Sequence, residues 1–190
     1  MIDKKFNDWH KVKASFTDDI GDTLHRNHAG WGRIKAYTNN SGRNDIVEAK
    51  VAAGKSSLSF YVRTHQSLTN SNDSNWMNLY INNQDASLPL WQGFQFRISV
   101  YNYDNGTVQL QKSLGGFKWQ SIATLKYAQN KNEVEIFIPK KSLGIEGNVF
   151  TIDFKWTDNI PSDGNPLNWL DKGDAAPNGR FAYRYIHHKN

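Results

Sequence analysis

The chain has 190 residues, a net charge of +5 and no cysteine, a length that suits one domain or two small ones and needs no disulfide staples. The missing thiols exclude disulfides, cysteine nucleophiles and thiolate metal sites. Seven Trp, eight Tyr and ten Phe exclude a disordered chain, which is poor in aromatics.

In chain order, the pattern is all-β. Residues 1–8 read as a linker or frayed end, 9–186 as one domain and 187–190 as a tail. Asn44 to Ala52 is β-rich and leads into the turn Ala53-Gly54-Lys55-Ser56. Leu58, Phe60 and Val62 alternate with polar neighbours, the primary strand signal. From Trp76 to Asn82, strict alternation puts Met77, Leu79 and Ile81 on the core face and Trp76, Asn78 and Tyr80 on the other. Phe94, Phe96, Ile98 and Val100 oppose Gln95, Arg97, Ser99 and Tyr101. Asp104-Asn105-Gly106 reads as a hairpin turn, because Asn and Gly tolerate positive φ. Val108 and Leu110, then Phe117, Trp119 and Ile122, continue the pattern, with Trp119, in register with Phe117, placed in the core. Val134, Ile136 and Ile138 alternate with Glu133, Glu135 and Phe137, which leaves the two glutamates on a solvated strand face. A short turn over Lys140–Gly144 follows Pro139, and Ile152, Phe154 and Trp156 form a further core row. Phe181 to Ile186 closes the domain. About ten strands at this spacing predict a two-sheet antiparallel β-sandwich of the immunoglobulin or jelly-roll kind.

Long loops over 15–33, 66–75 and 158–179 are rich in Asp, Asn, Gly and Pro, and loops of that length on a compact domain usually carry function. There is no phosphate-binding glycine loop and no nucleophile elbow. His25 and His28 supply too few ligands for zinc. Met77 falls on the core face, which argues against a haem ligand. The basic residues are dispersed, so nucleic acid is not an expected partner. No stretch approaches the ~18 apolar residues of a membrane helix, and the opening residues Met1 to Phe6 contain no apolar signal-peptide segment. No membrane insertion is expected. Asp18 and Asp22 share one loop with Gly21, a donor set that suits calcium, with Asp45, Asp158 and Asp174 as further candidates. Trp169 lies in the last long loop, flanked by polar residues. Indole faces stack on sugar C–H groups, while amide and guanidinium groups serve sugar hydroxyls.

Several blocks carry a family resemblance: Phe16-Thr17-Asp18-Asp19-Ile20-Gly21-Asp22-Thr23, His25 to His28, Gly30-Trp31, Gly42 to Ile46, Trp76-Met77-x-Leu79-x-Ile81, Trp91-x-Gly93-Phe94, Ile138-Pro139 with Leu143-Gly144, Phe154 to Asn159, and Gly173 to Phe181. Together they resemble a family 9 carbohydrate-binding module, or the related DOMON-type sandwich, as appended to secreted glycosidase-like proteins of Bacteroidetes. The resemblance implies two sheets of about five strands, a structural calcium in many members, and sugar binding without catalysis. It implies a secreted, periplasmic or cell-surface setting and a neighbouring domain in the same polypeptide as partner. It also implies a ligand site in which Trp169 and Arg97 match the family's clamp Trp and strand Arg. Asn78 stands where the family has a Glu, and Trp76 lies a few residues from the place of the second clamp Trp. The alternative expectation is a domain that packs on a neighbouring catalytic domain without binding sugar.

Overall fold

Strands form wherever the alternation is clean. A computed structural model describes residues 5–22, 26–30, 32, 35–69, 74–100, 106–165 and 167–188. His25, Trp31, Asp104 and Asn105, and parts of the first two long loops, lie outside the described residues. Among the described residues, thirteen strands follow in chain order: β1 (Ser15–Thr17), β2 (Arg26–His28), β3 (Tyr37–Asn39), β4 (Ile46–Ala53), β5 (Ser57–Thr64), β6 (Asn78–Asn82), β7 (Phe96–Ser99), β8 (Thr107–Ser113), β9 (Trp119–Asn130), β10 (Glu133–Pro139), β11 (Phe150–Asp158), β12 (Asp174–Ala176) and β13 (Tyr183–His187). Among the described residues, α1 (Asn168–Asp171) and two 3₁₀ turns are the only helical elements.

The fold is all-β, antiparallel and sandwich-like, as the pattern predicts. Hydrogen bonding differs in one respect: instead of two separate sheets, one sheet runs β1-β4-β5-β10-β9-β8-β7-β6-β11-β12, with β13 also on β11, and β2–β3 form a small hairpin beside it. The backbone amide of Ile46, at the start of β4, donates to the Asp174 carboxylate of β12 at 2.6 Å, so the sheet curls until its two ends nearly meet. The enclosed core takes Phe60, Val62, Leu79, Ile81, Ile98, Val108, Leu110, Val134, Ile136, Ile152, Phe154 and Trp156, all essentially inaccessible.

Two local irregularities redirect aromatic side chains that strict alternation misplaces. Met77 has φ +45°, so β6 begins only at Asn78, and Trp76 and Met77 both enter the core. On β9 the pairing with β8 slips at Ile122: Leu110 faces Ala123, but Gln111 faces Ser121. This bulge reverses the side-chain phase. Trp119 therefore lies on the outer face instead of in the core, and Ile122 and Phe117 are exposed.

The N-terminal boundary also shifts. Phe6–Lys11 form a 3₁₀ turn with Phe6 and Trp9 buried, so the domain begins inside the segment read as linker. Trp9 stacks on Tyr61 at 5.0 Å, and its indole N–H donates to Glu135 Oε2 at 2.9 Å. Glu135 is consequently buried under this turn, not solvated. Trp9→Phe keeps a ring but removes the donor. It should cost about 1.5–3 kcal/mol, the worth of a bond to a charged group, measured by denaturant unfolding. An unchanged midpoint would separate the turn from the folded unit.

Candidate functional site

The non-core rows of β11, β6, β7 and β8 come into register as the alternation requires. Lys155 pairs with Tyr80, Tyr80 with Arg97, and Arg97 with Gln111; one row on, Thr157 pairs with Asn78 and Asn78 with Ser99. A second apolar cluster covers this face: Tyr80, Trp91, Phe94, Ile160, Trp169 and Ala175, with Trp119 packed against it. Tyr80 and Trp91 stack at 5.2 Å, and Trp169 meets Tyr80 edge-on at 5.6 Å. Phe94, read from its phase as a member of the main core, belongs here, because Gln92 and Gly93 turn with positive φ between bridged Trp91 and Phe94.

The loop after β11 carries this cluster and is pinned to the β2–β3 side. Asn39 Nδ2 donates to Gly173 O at 2.7 Å, and Asn159 Nδ2 to Ser41 O at 2.7 Å. Gly173 has φ +45°, and a Cβ there would lie 1.9 Å from Asp158 O, so only glycine fits. Asp158 is wholly buried and accepts both Arg43 Nε at 2.7 Å and the Met77 amide at 3.1 Å. Burial pushes its carboxyl up, against the pull of Arg43.

Beside the cluster opens a cavity of about 280 Å³, lined by Gln92, Phe94, Lys155, Gly164, Trp169 and Arg180. Trp169 is only 3% exposed. Its indole N–H donates to Gln92 Oε1, and Lys155 Nζ lies 5.3 Å from the ring centroid. Lys155 donates to the carbonyls of Pro177 and Phe181. Trp169 thus pins its own loop and also walls the cavity. Arg97 does not line it: its guanidinium lies 4.8 Å over Trp119 and bonds Gln111 and Ser162, with Trp91 bridging Trp119 and Trp169. Asn78 is fully buried and donates to Ser74 O, its Oδ1 unpaired among the described residues. Trp76 is fully buried, its N–H on Thr69 O. Of the four expected ligand residues, only Trp169 reaches the cavity; Arg97 joins it through the aromatic chain. Gln92 and Arg180 were missed, although both lie within or beside the blocks Trp91-x-Gly93-Phe94 and Gly173 to Phe181.

A second constellation gathers acids. Asp18, Asp22 and Asp174 offer carboxylate oxygens that all lie within 4.8 Å of one another. Asp45 adjoins them, accepting the Gly21 amide at 2.8 Å. Asp18 Oδ2 and Asp45 Oδ1 are buried without a hydrogen-bond partner among the described residues. Burial and then the Asp22 charge push the Asp18 carboxyl up to about 7, and burial drives Asp174 well above the usual carboxylate range. Such crowding of like charges is costly unless protons or a cation neutralise it. The all-oxygen donor set, two carboxylates from the loop after β1 and one from the start of β12, fits calcium. The expected pair Asp18 and Asp22 is brought together, and of the further candidates Asp174 joins them from 152 residues beyond Asp22. Asp158 is not among them.

Compared with protein-family models and with curated proteins, the chain matches none.

Proposed function

We propose that this domain is a noncatalytic carbohydrate-binding module, an accessory part of a larger secreted, periplasmic or cell-surface glycan-degrading protein. One observation carries the reading: the cavity beside Trp169 combines aromatic walls, Phe94 and Trp169, with an amide and two cations, Gln92, Lys155 and Arg180. That is the chemistry of a pyranose site, where C–H groups pack on rings and hydroxyls take fixed donors and acceptors. No carboxylate lines the cavity among the described residues. Glycoside hydrolysis calls for two, so binding without turnover is the better fit. The resemblance to family 9 carbohydrate-binding modules supports the same reading.

Calcium belongs to this proposal as a structural ion held by Asp18, Asp22 and Asp174. It would neutralise the acidic corner and fix β12 against the loop after β1. The segment 174–181 runs from this corner to the cavity: Asn178 donates to Asp22, and Arg180 lines the cavity. Ordering one end supports the other.

A calorimetric titration with neutral oligosaccharides tests the proposal. Arg180 is exposed, so Arg180→Ala should fold normally yet bind about tenfold or more weakly, as expected for a lost charged hydrogen bond. Absence of binding to any glycan would overturn it. A second reading is favoured by exposed Leu90, Leu114 and Phe117, 50%, 53% and 65% accessible. Gly115 abuts Pro89, which sets the turn carrying Leu114 and Phe117 beside the segment carrying Leu90. These exposed apolar side chains suit docking on a neighbouring domain of the same polypeptide, and this reading takes over if no sugar binds.

A further inference from the structure

The turn after β10 carries a buried cation that forms no hydrogen bond among the described residues. Lys140 opens the 3₁₀ turn Lys140–Leu143, and its backbone amide donates to Ser56 O at 3.0 Å. That bond draws the β4–β5 turn, with Lys55, against Lys140 and Lys141. The Lys140 side chain is 4% exposed. Its Nζ has no hydrogen-bond partner among the described residues and lies 4.9 Å from the centroid of the Phe150 ring. A ring face returns only part of the hydration an ammonium gives up on burial. Lys140 also lines a cavity of about 480 Å³ with Lys55, Lys141, Ser56, Phe137 and Ile145, and no carboxylate is among the lining residues described. The Phe150 ring also packs near His187, at 5.1 Å, and Tyr185, at 6.2 Å.

We propose that Lys55, Lys140 and Lys141 form a binding site for a tetrahedral oxyanion, a sulfate or phosphate group. Two exposed ammonium groups, on Lys55 and Lys141, bring freely rotating donors, and the buried Lys140 adds a nearby point charge, which suits a multiply charged group with oxygens on several sides. The flat carboxylate is better served by the planar fork of arginine. Ser56 adds a neutral hydroxyl that can donate to one more oxygen. The buried Lys140 would supply the desolvated charge, and the exposed Lys55 and Lys141 would close over the anion from the solvent side. The site shares no lining residue with the Trp169 cavity, so it stands or falls independently of sugar binding there.

The test is a calorimetric titration of the whole chain at constant ionic strength set with chloride. Inorganic sulfate, inorganic phosphate, glucose sulfate and glucose phosphate are the probes, and glucose is the control. Melting shifts are not the readout, because sulfate stabilises folded proteins by exclusion. At least one oxyanion probe should bind, and Trp169→Phe should leave that binding unchanged. Lys55 and Lys141 are exposed, so the double variant Lys55→Ala/Lys141→Ala should stay folded and bind about tenfold or more weakly, the loss expected for charge-assisted bonds. Lys140→Met, which keeps the stem, should abolish binding. Tighter binding of an ester than of the free ion would support the site with a substituted sugar as its source, and equal binding would support it with the free anion. The proposal is overturned if no oxyanion probe binds, or if the double variant binds as wild type. The double variant decides the matter even if Lys140→Met fails to fold.

Discussion

Chelation is expected to lower the melting temperature by about 5–10 °C. Mass action gives ~2.7 kcal/mol for a cation present at about one hundred times its dissociation constant, and a domain of this size moves roughly 2–4 °C per kcal/mol. The ion would replace the buried neutralisation that the acidic corner lacks: Asp18 and Asp45 each keep a buried carboxylate oxygen unpaired among the described residues. The pH dependence has a fixed sign. Asp18 is raised from an ordinary carboxylate value to about 7, so without metal the folded state holds a proton that the unfolded chain gives up. Stability from this group is full below the unfolded pKa and is lost as pH rises through about 7. A cation competes with that proton, so its stabilisation should be larger at about pH 8 than at about pH 5. Asp18→Asn should raise the melting temperature of the chelated protein, by removing a buried charge, and should blunt the response to calcium. An unchanged melting temperature after chelation at the higher pH, with no metal in the purified protein, would remove calcium from the account.

What the sequence reveals about this fold is set by how local each cause is. The rows Leu58-Phe60-Val62, Val134-Ile136-Ile138 and Ile152-Phe154-Trp156 read correctly, because a period of two follows from backbone geometry alone. The polar register of Lys155, Tyr80 and Arg97 reads correctly for the same reason. Trp76 and Trp119 do not, because one positive φ at Met77 and one bulge at Ile122 reverse the phase, and neither leaves a compositional mark. Glu135 looks solvated on its strand and is buried only because Trp9 comes back across 126 residues to cover it. The acidic corner is half legible. Asp18 and Asp22 stand together in sequence, whereas Asp174 joins them only when the sheet curls to bring β12 beside β4. The Trp169 cavity is legible in Trp169 and not in Phe94 or Gln92, whose places depend on the positive-φ turn between Trp91 and Phe94.

Trp169→Ala should show two effects that separate packing from recognition. The indole sits in the satellite cluster, in contact with Tyr80 and Trp91, and donates to Gln92. Truncating a buried Trp costs about 3–5 kcal/mol, yet the main core around Phe60, Phe154 and Trp156 is a separate cluster. The variant should therefore stay folded with a depressed melting temperature, since domains hold roughly 5–15 kcal/mol in all. Trp169→Phe keeps an aromatic wall and loses the N–H, so it should cost less, about 1–3 kcal/mol for the unsatisfied partner. If the cavity binds sugar, Trp169→Ala should abolish binding at temperatures where the variant is folded. Trp169→Phe should bind more weakly than wild type but measurably, because ring stacking survives. Arg180→Ala should weaken binding with the melting temperature unchanged, which rules out a purely structural cause for the loss. The opposite pattern, a destabilised Trp169→Ala that still binds as tightly as wild type, would show that Trp169 only pins its loop. The sugar site would then have to be sought away from this cavity.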